Sequence, residues 1–336
     1  MKDRERLNRT GKRRGGRGLP LFLLGCFLLL ALPFLLPRGE ELLPGGLPFP
    51  ESRIIGLEGT SIHYRVFPAE GELKGQVFLL HGLGGSTFSW RETVPTLTRA
   101  GYRVLAADLP GFGYSDRKAG LDHSQEARGA LMWKLLNQEG LPGLGWILGG
   151  HSMGGGTVAA MAMSRPDQVE GLFMADGVVR ESSAGFLGKL LAFPPFFRWG
   201  EVILARSIGE GNIRNLLEGA YGQVPDGNAV GGYLRPLEFQ GTAASLLEMS
   251  RTMRQPSPIP LEEGAYPLLY IRGAEDEWVG PEEGETLKKL RPDGLFAEIP
   301  GAGHCPMETH PEAFGSILLQ WLAESVGNST VESMKL

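Results

Sequence analysis

The chain is poor in cysteine. Two thiols in 336 residues, Cys26 and Cys305, exclude a disulfide scaffold and leave the redox compartment unassigned. Histidine is scarce as well. Its six copies are scattered without the short spacings that ligate zinc, which argues for chemistry without a metal. No internal repeat is visible, so a solenoid is excluded. With 42% hydrophobic and 21% charged residues, the composition is that of a globular chain rather than a disordered one. The length suffices for one large domain or two ordinary ones.

Glycine is abundant, at 50 residues, and clusters at the ends of apolar runs where tight turns need positive φ. Charge is unevenly spread. Residues 1–18 hold Lys2, Arg4, Arg6, Arg9, Lys12, Arg13, Arg14 and Arg17 against Asp3 and Glu5, a net +6. The whole chain is −5, so the remainder is −11. An acidic body argues against nucleic acid as a partner.

One long apolar run follows the basic arm, LFLLGCFLLLALPFLL from Leu21 to Leu36. A cleaved signal peptide would fit the basic arm, but no small-x-small cleavage site follows Leu36. A lipoprotein signal is hinted at by Cys26, yet the run continues beyond it. The twin arginine Arg13–Arg14 lacks the apolar residues that follow such signals. Residues 19–37 therefore read as an uncleaved signal anchor. The N-terminus would be cytoplasmic and the body across the membrane, with secretion after cleavage as the alternative. Residues 38–50 form a Pro/Gly-rich linker.

Residues 51–326 read as one α/β domain, followed by a tail at 327–336. SRIIGL and TSIHYRVF predict a hairpin. QVFLL, RVLAA, LGWILGG, VEGLFMA and PLLYIRG are continuous apolar runs, the pattern of strands buried on both faces. Helical patterns at 89–100, 124–139, 155–165 and 281–290 separate them, and PEAFGSILLQWLAES predicts a final helix. The alternation implies a mostly parallel central sheet with helices on both faces. It stops between residues 181 and 258, which predict a helical insertion.

The sharpest chemical signal is Gly150-His151-Ser152-Met153-Gly154, a G-x-S-x-G turn between the strand LGWIL and a small-residue helix. Glycines two positions either side let the turn close. The serine hydroxyl then stands at a helix N-terminus, and the Met153 N–H faces a developing oxyanion. His81-Gly82-Leu83-Gly84-Gly85 follows another strand and offers a second backbone donor at Leu83. His81 itself reads as packing for that loop.

An acid and a base must follow the serine in that order. Asp276 stands just past the strand PLLYIRG, with Glu275 and Glu277 as neighbours in competition and Asp176 as a second acid position. His304 lies in a glycine-rich loop before the final helix. Only it, among His63, His81, His123, His151 and His310, has both the chain order and the loop. Cys305 reads as a small buried side chain rather than a nucleophile. In this scheme His304 takes the Ser152 proton as the hydroxyl attacks an ester carbonyl, Asp276 holds the tautomer, and water cleaves the acyl-serine. No cofactor is required.

These residues resemble the α/β-hydrolase superfamily. HGLGGSTFSW (81–90), DLPGFGYSD (108–116), GGHSMGG (149–155), GAEDEWV (273–279) and GAGHCPMETHP (301–311) come in family order, and the resemblance covers residues 52–326. It implies an α/β-hydrolase fold in which the insertion is a helical cap over the site. The branch includes carboxylesterases, lipases, C–C bond hydrolases and cofactor-free perhydrolases. Haloalkane dehalogenases and epoxide hydrolases, also similar, use an aspartate where this chain has Ser152.

The resemblance leaves the substrate open. Phe186, Leu187, Leu190, Leu191, Phe193, Phe196, Phe197 and Trp199 form an apolar set that either lines an acyl pocket or glues the cap to the core. A small-molecule ester or lipid-like substrate is the leading expectation, with membrane attachment through the N-terminal segment. C–C bond or thioester hydrolysis on the same triad is the alternative. A non-catalytic, membrane-anchored binding protein on the same fold is the reading from another class.

Overall fold

Eight strands lie in one sheet in the order β1-β2-β4-β3-β5-β6-β7-β8. They are β1 Ser52–Leu57, β2 Thr60–Phe67, β3 Gly75–Leu80, β4 Tyr102–Ala107, β5 Trp146–His151, β6 Val169–Ala175, β7 Leu268–Gly273 and β8 Leu295–Ile299. β1 and β2 form the expected hairpin, β2 joins β4 antiparallel, and the other neighbours run parallel. The computed structural model describes residues 18–36, 46–179, 185–252 and 261–326. The basic arm up to residue 17, linker residues 37–45, insertion residues 180–184 and 253–260, and the tail 327–336 lie outside the described residues.

The central strands are buried on both faces, as their continuous apolar runs predict. Val77 and Leu79 of β3 enter one core layer, and Phe78 and Leu80 enter the other. Leu172 and Met174 of β6 alternate with Phe173 in the same way. One layer is closed by α4 (Gln125–Glu139) and α5 (Met153–Ser164), through Trp133 and Val158. The other is closed by α3 (Thr93–Arg99) and α13 (Pro311–Trp321), through Leu97, Phe314 and Trp321.

The chain passes from β3 outward to β4 and then back across β3 to β5. That reversal opens a crevice at the carboxyl ends of β3 and β5, where ligands bind in open α/β sheets. Between β6 and β7 the chain builds α6 (Gly185–Leu191), α7 (Pro194–Ser207), α8 (Glu210–Tyr221), α9 (Gly227–Leu237) and α10 (Thr242–Thr252). These helices stand over the crevice.

The single-pass anchor is overturned. The apolar run forms α1 (Gly18–Leu30), 13 residues, and the four-residue α2 (Leu32–Leu35), broken at Ala31. Pro33 sits in the first turn of α2 and supplies no backbone N–H there. Thirteen residues rise about 20 Å, short of the ~30 Å hydrocarbon core. No described helix is long and apolar enough to cross a membrane. The segment instead meets the cap: Trp199 Nε1 donates to Leu29 O at 3.0 Å, and Arg198 Nη2 to Leu36 O at 2.8 Å.

Candidate active site

Ser152 ends β5 and heads α5 with φ 50° and ψ −120°, a left-handed conformation that costs a non-glycine residue about 1–3 kcal/mol. Surrounding backbone holds it there. Its N–H donates to Ala175 O at 3.0 Å, and its carbonyl accepts from Gly155 N at 2.9 Å and Val178 N at 3.0 Å. The flanking glycines have a steric cause. A Cβ on Gly150 would lie 2.5 Å from Gly154 O, and one on Gly154 would lie 2.5 Å from His81 O. A Cβ on Gly82 would lie 3.0 Å from Ser152 Cβ, so the loop carrying Leu83 presses directly on the elbow. Leu83 and Ser152 line one cavity, with Met153 opening the helix beside them.

His304 lines the same cavity. Its Nδ1 donates to Asp276 Oδ2 at 2.8 Å. Asp276 is buried after β7, and its Oδ1 accepts from Trp278 N at 2.8 Å and Val279 N at 3.1 Å. Burial alone would raise this carboxyl. The His304 bond and the two N–H donors outweigh it and hold Asp276 below the usual carboxylate range. The His304 backbone is clamped from two sides. Its N–H donates to Ala220 O at the end of α8 at 2.7 Å, and its carbonyl accepts from His151 Nε2 at 2.8 Å. The structure therefore brings Asp276 and His304 into contact, and His304 and Ser152 onto one wall.

The other candidates fall elsewhere. Glu275 and Glu277 are exposed. His310 precedes α13. His81 accepts from Leu109 N through Nε2 at 3.0 Å and donates to Gly82 O through Nδ1 at 2.7 Å, so both ring nitrogens hold backbone. Cys305 is buried, which pushes its thiol well above the ordinary range and keeps it neutral. Asp176 lies beside Asp276. One atom each of Asp176, Asp276 and His304 lies within 4.8 Å of the others.

His63 belongs to a second serine–histidine–aspartate line that sequence reasoning did not find. Ser52 Oγ lies 2.7 Å from His63 Nε2, and His63 Nδ1 lies 2.7 Å from Asp108 Oδ2. Contacts and burial separate it from the first. Ser52 is buried in extended strand β1, where its Oγ accepts from Phe49 N at 3.2 Å. Asp108 is fully buried and accepts from Thr87 N at 2.6 Å and Tyr114 N at 2.7 Å. This line staples β1, β2 and the two loops at 81–90 and 108–116 to one another. It supplies the physical reason for the aspartate of DLPGFGYSD.

The cap is docked by a second polar cluster. Glu308 is fully enclosed and takes a short ion pair from Arg91, a hydrogen bond from Tyr221 at 2.7 Å and one from Tyr233 at 2.5 Å. Tyr221 and Tyr233 come from α8 and α9 of the cap, whereas Arg91 and Glu308 come from the sheet domain. Burial raises Glu308, against the pull of Arg91 and the two phenols.

The cavity between cap and sheet measures about 560 Å³. Leu204, Ile208, Ile213, Leu216, Leu217 and Leu237 form its cap-side wall. Phe193, Phe196, Phe197 and Trp199 do not line it, so of the two roles left open for this set the pocket-lining one does not apply to them. They lie at the N-cap position and in the first half of α7, where Arg198 and Trp199 bond to the α1–α2 segment. The side chains of Phe186 and Leu187 lie outside the described residues.

Burial pushes His81, His123 and His151 below the ordinary imidazole value, His123 to about 4 and His151 to about 3. In the unfolded chain all three titrate near about 6.5. Below that value the unfolded chain binds protons that the native one refuses. Stability is thus complete above about 6.5 and lost as pH falls toward the folded values. His123 and His151 are each expected to cost about 2 kcal/mol by about pH 5, and His81 adds a loss of the same sign. Melting curves of wild type should drop between about pH 7 and pH 5, and His123→Gln should flatten the drop. A flat wild-type curve would contradict the burial of neutral imidazoles.

The matches to known proteins agree with this architecture. A family model described as the alpha/beta hydrolase fold matches residues 76–311. An sn-1-specific diacylglycerol lipase of Mus musculus is 28% identical over 288 residues, covering 82% of this chain and 91% of the lipase. A 2-hydroxy-6-oxononadienedioate/2-hydroxy-6-oxononatrienedioate hydrolase of Klebsiella pneumoniae is 25% identical, covering 76% and 89%. A solved structure of a probable hydrolytic enzyme from Pseudomonas aeruginosa superposes with a TM-score of 0.67 at 22% identity, covering 84% and 97%.

Proposed function

The chain belongs to the alpha/beta hydrolase fold family, and from that premise we propose that it is a serine hydrolase of uncharged carboxylic esters, with Ser152 as nucleophile, His304 as base and Asp276 as the orienting acid. One observation carries the reading. A serine in a strained turn at a helix N-terminus shares a cavity wall with a histidine whose far nitrogen is bonded to a buried carboxylate. His304 Nε2 takes the Ser152 proton as Oγ attacks the acyl carbon. The N–H groups of Leu83 and Met153 receive the oxyanion. His304⁺ returns the proton to the leaving alkoxide, and the same steps with water release the acid. Asp276 stabilises the imidazolium and fixes its tautomer.

The relatives include both lipid ester and C–C bond hydrolases by name, and the cavity chemistry favours the former. A dienedioate carries two carboxylates. No lysine or arginine is among the described residues lining the cavity, and an unpaired buried charge costs several kcal/mol. The apolar wall suits an acyl chain. Each methylene buried there contributes about 0.8 kcal/mol, roughly fourfold in kcat/KM. A panel of p-nitrophenyl esters is expected to show kcat/KM rising steeply from acetate to octanoate, with no turnover of the dienedioate. Preference for acetate, or efficient C–C cleavage, would overturn the acyl assignment.

A further inference from the structure

Two carboxyl groups meet at the ends of adjacent parallel strands. Asp176 follows β6 and Asp276 follows β7. Asp176 is held firmly in a left-handed conformation with φ 44°, and its N–H donates to Ile271 O at 2.9 Å. Its two carboxyl oxygens lie 3.1 and 3.3 Å from Gly273 N, and the side chain is fully buried. A carboxyl oxygen of Asp176, one of Asp276 and a ring nitrogen of His304 all lie within 4.8 Å of one another. Two ionised carboxylates this close and this deeply buried repel each other, and a proton on one removes the repulsion and lets it donate to the other. Asp276 already satisfies three donors: Trp278 N, Val279 N and His304 Nδ1. Asp176 has the single N–H of Gly273.

We propose that Asp176 carries a proton in the native protein and donates it to the carboxylate of Asp276, which makes it a positioning residue for the His304–Asp276 pair. Burial and the neighbouring charge of Asp276 raise the Asp176 carboxyl well above the carboxylate range, and Arg272 opposes this from β7. Among the described residues, Tyr270 of β7, whose phenol is itself raised by burial and by Asp176, and His304, Cys305 and His151 also face the pair. Like-charged buried carboxylates in contact share one proton, as in aspartic protease dyads. The shared proton leaves a single negative charge facing His304. It also occupies one lone pair of Asp276, so the carboxylate cannot rotate away from Nδ1. What this positioning achieves rests on the serine-hydrolase reading; the proton itself does not.

The decisive experiment is carboxyl NMR on the full chain labelled with ¹³Cγ-aspartate, in wild type and in Asp176→Asn. Wild type should show one aspartyl carboxyl still protonated at neutral pH, absent from the variant. A wild-type spectrum with every aspartate ionised overturns the proposal, whatever the enzyme hydrolyses. Kinetics then test the role. Asp176→Asn donates an amide N–H without charge, and should keep kcat within about threefold and leave the acid limb of the kcat/KM profile unmoved. Asp176→Leu removes the donor and should lower kcat about 10- to 100-fold with KM nearly unchanged. A shift of the acid limb to lower pH by about one unit in Asp176→Asn would mean that wild-type Asp176 is charged, and overturns the proposal. Full kcat in Asp176→Leu overturns the positioning role. Should no form hydrolyse any ester, the spectrum still decides the proton while the catalytic reading fails separately.

Discussion

Ser152→Ala is expected to lower kcat on its best ester by roughly 10⁶-fold, with little change in KM. The substitution removes one atom, Oγ, from a wall otherwise made by Leu83, Trp278, Val279 and the cap leucines. Substrate binding therefore persists. The turn should survive too, because its conformation is imposed by bonds of the Ser152 backbone to Ala175, Gly155 and Val178 rather than by the hydroxyl. A melting temperature within a few degrees of wild type should accompany the loss. Residual rate over water, about 10³–10⁴-fold, would come from the Leu83 and Met153 donors and from binding. If the variant keeps a tenth of wild-type kcat, another nucleophile does the work, and the reading of the elbow is wrong.

His304→Ala is expected to cost about as much, and the double variant no more than either single one. Groups that act in one proton transfer are not additive. His304 is the point at which three parts of the molecule converge. Asp276 holds its Nδ1, His151 its carbonyl and Ala220 of the cap its N–H, while the Trp278 ring lies 5.3 Å away. Even the preceding residue is constrained, since a Cβ on Gly303 would lie 2.6 Å from Ala220 O. The imidazole is thus held at a fixed place by core and cap together. A double variant clearly slower than both single ones would mean that serine and histidine contribute independently.

The strands β3 to β7 were legible in the sequence because strands buried on both faces need unbroken apolar runs, and few other elements do. The elbow was legible for a similar reason, as Gly150 and Gly154 stand where backbone comes within 2.5 Å. Contacts that depend on register were not legible. Asp176 and Asp276 meet only because β6 and β7 are parallel neighbours with Ala175 opposite Ile271. The Ser52–His63–Asp108 line needs the β1–β2 hairpin and the β2–β4 pairing to be known first. The direction in which a cap helix faces was also hidden. Phe196 and Leu204 both lie on α7, yet only Leu204 lines the cavity, while Arg198 and Trp199 bond to the α1–α2 segment. The apolar run at 21–36 misled because its hydropathy suited a span and its flanks made up for its short length, whereas the break at Ala31 and Pro33 divides it.

The central claim is that Ser152 is an activated nucleophile. A fluorophosphonate probe applied to the folded full chain, with the labelled peptide located by mass spectrometry, tests this most directly. The account predicts stoichiometric labelling on Ser152, suppressed in His304→Ala and blocked by a long-chain ester. Absence of labelling on folded protein, or labelling at a different residue, would contradict it.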